Sequence, residues 1–303
     1  MMSFKLSRSS KVNRILLISL TNIGDVVMTF PVIDELRAAF PQARLDIVAG
    51  PKALTFFNGN PHIGQGIAFD KRMGWAERLG WLAGLRRMRY DLVIDLRNTL
   101  VPFLIHARTV TSPFSSLANM HMKDKHLTRL RLVIGSNDFS SLRSALVIGD
   151  SDRDAAGKLL RGWKNYMVMA PGAADSRKRW SEEGFVDVLQ YLHSRGKNVV
   201  MVGDQNDRIV AERILSLAPG GGINLCGRTS LLQLAAVLAG ADLALVNDSG
   251  IMHLASYLDR PVVALFGPTD PFYYGPWGSS CVVLRKGLSM AEIKTADVIA
   301  VLG

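Results

Sequence analysis

Short runs of Val, Ile and Leu recur along the chain, separated by longer segments in which apolar residues return every three or four positions. This alternation marks βα units around a parallel sheet covered on both faces, because strands buried on two sides read as continuous apolar runs. Residues 15–19 read as the first strand. After the turn Asn22-Ile23-Gly24-Asp25, positions Val26, Phe30, Ile33, Leu36, Ala39 and Phe40 mark one helical face that Pro41 ends. Pro31 must kink that helix or stand near its start. Strands are expected at 44–48 and 91–95, with a helix over 75–88 whose apolar positions are Trp75, Leu79, Trp81, Leu82 and Leu85. Periodicity fades between about 100 and 154, where polar residues cluster at 111–116 and 136–141. The rhythm returns with strands at 166–170, 198–202, 223–225, 243–246 and 262–266, and helices at 183–194, 207–217, 230–239 and 251–257. The expectation is an α/β protein of two doubly wound, Rossmann-like parallel-sheet domains, 1–154 and 155–303, facing across a cleft. Ligands of such sheets bind outside the carboxyl ends of the strands.

Composition narrows the class. Of 303 residues, 48% are apolar and 20% charged, and the 27 Gly and 12 Pro are scattered, which excludes disorder, collagen and disulfide scaffolds. The two thiols, Cys226 and Cys281, have no CxxC neighbour and fit a reducing compartment. With 36 Lys and Arg against 26 Asp and Glu, the net charge of +10 draws the chain toward nucleic acid, anionic membrane or phosphorylated substrates. The N-terminal arm carries Lys5, Arg8, Lys11 and Arg14, but the apolar run 15–20 is too short for a secretory core. No stretch approaches the ~18 to 20 apolar residues that span a bilayer. A cytoplasmic protein, peripheral to a membrane, is expected.

Candidate chemistry sits in the loops after the strands. At Asn247-Asp248-Ser249-Gly250-Ile251-Met252-His253 a strand meets a polar turn that opens a helix, where unpaired N–H groups and the macrodipole suit a phosphate. The plain alternative makes Asp248 or Ser249 an N-cap, Gly250 a turn residue and His253 a core histidine. In the loop 171–180, Gly172 precedes the successive cations Arg177, Lys178 and Arg179, of which Lys178 or Arg177 reaches a leaving phosphate, or else the loop is a solvated basic one with Trp180 packed beneath. Gly203 and Asp207 flank another strand end, where a carboxylate holds ribose hydroxyls or caps a helix. Asn22-Ile23-Gly24-Asp25 lacks the glycines of a nicotinamide fingerprint; Asp25 is a general base or an N-cap. Asp150-Ser151-Asp152 matches a loose D-x-D metal pattern but falls in the expected linker, so no metal role is assigned. H-E-x-x-H, G-x-S-x-G and P-loop sequences are absent.

Four stretches together resemble the ADP-heptose:lipopolysaccharide heptosyltransferases, a GT-B group classed as glycosyltransferase family 9. They are ILLISLTNIGDVVMTFPVIDELRAAFP (15–41), APGAADSRKRWSEEGF (170–185), VGDQNDRIVAERI (202–214) and NDSGIMHLASYLDRPVVALFGPTDP (247–271). The resemblance implies an acceptor held by the N-terminal domain, a nucleotide sugar held by the C-terminal one, and inversion at the anomeric carbon without an essential metal or other cofactor. Asp25 matches the proposed base, and Lys178 a residue that meets donor phosphate. Asp248, Ser249, Gly250 and His253, with Met252 between them, match the segment around the diphosphate, Ser249 keeping the hydroxyl of the usual threonine. Asp207 stands where a ribose-binding glutamate is usual. Asn22, Gly24, Gly172 and Gly203 complete the expected donor contacts.

The implied reaction moves a heptose from ADP-heptose to a phosphorylated lipid A-core acceptor at the anionic inner-membrane surface, where the arm 5–14 would dock. The rival is a GT-B-like nucleotide-sugar epimerase or hydrolase, which needs no acceptor. A basic nucleic-acid-binding protein is the more remote alternative, and the chain lacks a reading helix for it, so no nucleic-acid partner is assigned.

Overall fold

Among the described residues every strand pairs in parallel, in two separate sheets. The computed structural model describes residues 5–6, 11–112, 117–135, 143–218 and 220–302. Arg8 and much of the two polar clusters expected at 111–116 and 136–141 therefore lie outside the described residues. The chain divides into units Met1–Val147 and Ile148–Gly303, ahead of the division expected at 154.

The first unit contains β1 (Arg14–Ile18), α1 (Ile23–Val27), α2 (Phe30–Ala39), β2 (Arg44–Ala49), β3 (Gln65–Ala68), α3 (Trp75–Arg87), β4 (Leu92–Asp95), α4 (Val101–Leu104), β5 (Thr109–Val110) and α5 (Met122–Ile134). The sheet order is β3-β2-β1-β4-β5. β1 carries Leu16 and Leu17 fully buried, as a strand covered on both faces must. The single helix expected over 26–40 is two helices. Thr29 Oγ1 turns back to donate to the Val26 carbonyl (2.7 Å), and Pro31 opens α2, where its missing N–H costs nothing. α3 forms as expected, but its apolar positions do not make one buried face. Only Leu85 of that helix is buried, while Trp75 is 78% and Leu79 57% exposed.

Arg14, grouped by sequence with a basic arm, is a structural cation. Its guanidinium donates to the buried Asp46 carboxylate (3.1 Å) and lies over the Tyr90 ring, whose hydroxyl donates to the same carboxylate (3.0 Å). Burial, ahead of the Asp46 charge, pushes the Tyr90 phenol well above its ordinary range.

Residues 100–147, unassigned by periodicity, complete this unit. α5 packs against α2, with Arg131 paired to Glu35. Asp34 of α2 accepts the N–H groups of Ser144 (2.7 Å) and Ala145 (2.8 Å), which ties the end of the unit to its first helices.

The second unit contains α6 (Asp150–Leu159), β6 (Met167–Ala170), α7 (Glu182–Ser194), β7 (Val199–Met201), α8 (Arg208–Leu217), β8 (Ile223–Asn224), α9 (Leu231–Ala239), β9 (Leu243–Asn247), α10 (Gly250–Tyr257), β10 (Val262–Leu265), α11 (Pro271–Tyr274), β11 (Cys281–Leu284) and α12 (Thr295–Leu302). Its sheet order is β11-β10-β9-β6-β7-β8. Asp150 and Asp152, read as part of a linker, occupy the first turn of α6, where the helix dipole favours carboxylates. α6 packs on α9, which is why the unit begins before it. One apolar layer, including Met169, Phe185, Val188, Leu189 and Leu265, fills the space between sheet and helices. Trp180 closes it: its indole N–H donates to the Ile293 carbonyl (2.9 Å), and its ring meets Phe185 edge-on.

Candidate functional site

In the second sheet the chain starts at β6, builds β7 and β8 on one side, then returns to build β9, β10 and β11 on the other. The loops after β6 and β9 therefore part in opposite directions, and that parting leaves the crevice where open α/β sheets take ligands. Asn247, fully buried at the end of β9, bridges it. Its Nδ2 donates to the Pro171 carbonyl (2.8 Å) and its Oδ1 accepts the Trp180 N–H (3.3 Å). Sequence reasoning quoted Asn247 without giving it a role; an amide ending a central strand, with a donor and an acceptor to place, was the available signal.

The three successive cations of the β6 loop go separate ways. Arg177 forms an exposed fork on Asp175 (2.7 Å at its shortest), whose carboxyl that hydrogen bonding holds down to about 2. Arg179 donates to the Ala173 carbonyl (2.8 Å). Lys178 alone turns to the β9 loop, where its Nζ donates to Asp248 Oδ2 (2.7 Å). The Asp248 side chain is 6% exposed and that of Lys178 27%, so the carboxylate is the buried anchor and the ammonium the exposed end. An ammonium has three protons, and this contact uses one.

α10 starts beside that pair. Ser249 is its N-cap in extended conformation (φ −151°) but makes no side-chain cap bond, and its buried Oγ has no hydrogen-bond partner among the described residues. The first N–H groups of the helix have no acceptor within it, so Gly250, Ile251 and Met252 present donors at its positive end. The Met252 side chain is fully buried, which leaves its backbone as the part able to meet a ligand. His253 is buried and stacked on Trp277, with centroids 5.7 Å apart. The N-cap alternative for Asp248 does not hold, since Ser249 occupies that position.

Gly172, Gly203 and Asp207 also come together. A Cβ on Gly172 would stand 2.2 Å from the Asp207 carboxylate, and one on Gly203 2.6 Å from it, so a side chain at either position would displace that carboxylate. Asp207 stands at the N-cap of α8 without capping it. Instead Oδ2 accepts the Asp204 N–H (2.9 Å), and burial pushes the carboxyl above its ordinary range.

In the first unit the same change of direction lies between β1 and β4. Asn22, not Asp25, is the N-cap of α1, and Asp25 falls in its first turn. Asn22 Nδ2 donates to Asp25 Oδ2 (2.9 Å), which fixes a half-exposed carboxylate over the end of β1; Gly24 lies between them. The neighbouring β4 end holds residues that sequence reasoning missed. Asp95 accepts from the Thr99 N–H (2.7 Å), the Thr99 hydroxyl (2.6 Å) and the Arg97 N–H (2.8 Å), and Arg97 lies 4.3 Å over the Phe69 ring. Burial raises the Asp95 carboxyl while those hydrogen bonds oppose the rise. The polar tract Arg97-Asn98-Thr99 after a strand was the readable sign. Among the described residues no group of three His, Cys, Asp or Glu side chains is gathered as metal ligands are.

Comparison with known proteins agrees with this architecture. The model of glycosyltransferase family 9 (heptosyltransferase) matches residues 138–300. The chain is 26% identical to lipopolysaccharide heptosyltransferase 2 of Salmonella typhimurium, over 94% of this chain and 91% of that protein. Among solved structures, the glycosyl transferase family 9 protein of Veillonella parvula superposes with a TM-score of 0.85 at 26% identity, over 97% of this chain and 98% of that one. The ADP-heptose lps heptosyltransferase II of E. coli superposes with a TM-score of 0.78 at 24% identity, over 95% and 97% of the two chains, a likeness of fold. The two parallel-sheet units are thus the Rossmann-like domains of a GT-B enzyme, and the family match, which covers over half of the chain, makes it a member of glycosyltransferase family 9 (heptosyltransferase).

Proposed function

We propose that the enzyme transfers a heptose from ADP-heptose to a phosphorylated lipid A-core acceptor, with inversion at the anomeric carbon and without an essential metal. One observation carries the donor half of this reading: a lysine anchored by a buried aspartate, beside an unpartnered buried hydroxyl and the positive end of α10, at the crevice of the second sheet. That arrangement suits a diphosphate. Lys178 and the N–H groups of Gly250 to Met252 meet the charge that gathers on departing ADP, and Ser249 supplies the hydroxyl contact. A carboxylate repels a diphosphate, so Asp248 acts through Lys178. Asp207, set against Gly172 and Gly203, is the candidate for the ribose hydroxyls, and His253 lines the cradle from within. In the N-terminal unit, Asp25 takes the proton of the acceptor hydroxyl as that oxygen forms its bond to the anomeric carbon; the bond to ADP breaks on the opposite face. Asn22 and Gly24 shape that turn.

The relative from Salmonella typhimurium bears the name of a lipopolysaccharide heptosyltransferase and the E. coli structure that of an ADP-heptose enzyme, which supports this choice of substrates. The test is to supply ADP-heptose or UDP-N-acetylglucosamine, with and without truncated lipopolysaccharide, and follow products by mass spectrometry. Acceptor-dependent gain of one heptose, undiminished by EDTA, is expected. Turnover of the nucleotide sugar without acceptor would favour an epimerase or hydrolase, and loss of activity in EDTA would end the metal-free reading.

A further inference from the structure

Among the described residues the most exposed of the large apolar side chains, Trp75, stands in a segment rich in Lys and Arg. Trp75 is 78% and Leu79 57% exposed on α3, and α4, which packs beside α3, adds Leu100 at 70% and Leu104 at 52%. On a helix of 3.6 residues per turn, positions 75, 78, 79, 82 and 86 share one face, so Trp75, Leu79 and the half-buried Leu82 are interleaved with Arg78 and Arg86. The helix has one carboxylate, Glu77. It points elsewhere, accepting the Gly74 N–H at the helix start (3.0 Å). Across residues 71–89 the sequence holds six Lys and Arg against that single acid, and one of the six, Arg72, is paired with Asp70 (3.2 Å) just before the helix. Arg86 also lines an open pocket of about 330 Å³ together with Arg89, His106 and Arg108; the one carboxylate there, Asp91, accepts the N–H groups of Asn13 and Arg14 through one oxygen and pairs with Arg108 through the other (3.6 Å), so Arg86 and Arg89 are the cations it leaves over.

We infer that the α3–α4 face is the surface by which the enzyme docks on an anionic phospholipid bilayer, Trp75 and Leu79 entering the headgroup region while Arg78, Arg86 and Arg89 meet lipid phosphates. Charge decides the occupant. A second copy of this chain would set arginine against arginine, whereas anionic lipid offers what the face lacks, and a tryptophan beside arginines is the composition of helices that lie in the interface. The inference adds a docking element to the arm 5–14, of which Arg14 is held by Asp46 and Tyr90. In a βα unit the helix begins at the carboxyl end of the sheet. Trp75 therefore stands at the same end as Asp25, and a lipid-borne acceptor reaches the site from the surface that α3 lies on. The choice of a lipid partner rests on the proposed acceptor.

The test is flotation of the full chain with vesicles of equal parts phosphatidylethanolamine and phosphatidylglycerol, and with phosphatidylcholine vesicles. The wild type should float with the former only. Trp75→Ser with Leu79→Ser should lower partitioning about tenfold or more, and Arg86→Ser about fivefold at low salt. Both variants should keep wild-type turnover on a delipidated, soluble acceptor. Flotation of the double variant equal to wild type would overturn the inference, as would a dimer in sedimentation that Trp75→Ser abolishes while vesicle binding persists. A wild type that floats in this Trp75-dependent way but transfers no sugar to any acceptor would uphold the surface and remove the proposed reaction.

Discussion

Acid should loosen the N-terminal unit well before its carboxylates titrate, and His126 is the reason. This residue lies on the inner face of α5, is 1% exposed, and neither ring nitrogen has a hydrogen-bond partner among the described residues. Burial, reinforced by Arg129, Lys125 and His121, pushes its pKa down from 6.5 to about 3. The unfolded chain thus binds a proton at about pH 6.5 that the folded chain refuses until about pH 3. Within that window the unfolded state holds one more proton, so stability is complete above pH 6.5 and declines as the pH falls. At about 1.4 kcal/mol per pH unit, acidification from pH 7 to pH 5 costs about 2 kcal/mol. His126→Leu removes the proton site and two unsatisfied buried atoms, so it should be more stable at pH 7 by about 1 to 3 kcal/mol and nearly flat over the same pH range. Hydrogen–deuterium exchange of peptides from α5, measured at both pH values and corrected for intrinsic exchange, reads that local stability directly. If α5 loses as much protection in His126→Leu as in the wild type, the buried histidine is not the acid-sensitive group.

The remaining predictions concern the two half-sites. Asp25→Ala should lower kcat about a hundredfold or more at saturating donor, with ADP affinity unchanged by calorimetry; near-normal turnover would remove it as the base. Lys178→Ala should weaken ADP binding about tenfold or more and slow turnover further, removal of a fixed donor costing the barrier about 3 kcal/mol. Asp248→Asn keeps the shape but releases the ammonium, so ADP affinity should hold or rise while kcat falls, a split that simple unfolding would not produce. Gly172→Ala drives a methyl into the Asp207 carboxylate and should raise the donor KM while leaving the melting of the N-terminal unit untouched.

How much of this could be read beforehand depends on how local each signal was. Both-face burial wrote the central strands as plain apolar runs, so β1, β4, β6, β9 and β10 stood out. β3, with the sequence Gln-Gly-Ile-Ala at an exposed edge, had no such run and went unread. α5 was hidden because its inward face carries His126 and Arg129, whose polar atoms spoil the periodicity although their side chains are buried. The opposite error occurred at α3, where apolar positions at helical spacing implied a core face that the structure turns to solvent. At the site, the strand-to-helix turn at Ser249 and Gly250 was legible from composition. The choice of Lys178 among Arg177, Lys178 and Arg179 came from the family resemblance alone, because three adjacent cations differ only in what the fold places opposite each. Asp175 lies two residues from Arg177, whereas Asp248 lies seventy from Lys178 and becomes its neighbour only when β6 and β9 pair.

That long-range pairing gives a reason for an acid in the proposed anion site. A lone lysine at the lip of the crevice would sample many rotamers, and ordering it would consume much of what its charge contributes. Asp248 is anchored by its own backbone, whose N–H donates to the Leu265 carbonyl of β10 (3.1 Å), and so it holds the ammonium against the frame of the sheet before any ligand arrives. Asn22 does the equivalent for Asp25, and the Thr99 contacts do it for Asp95. In each case a charged group at a strand end is oriented by a neighbour: an acid behind a cation, an amide behind a carboxylate, a hydroxyl behind a buried acid. The holding residues should therefore tolerate substitution in binding assays far better than in turnover, because orientation matters most where charge develops along the reaction.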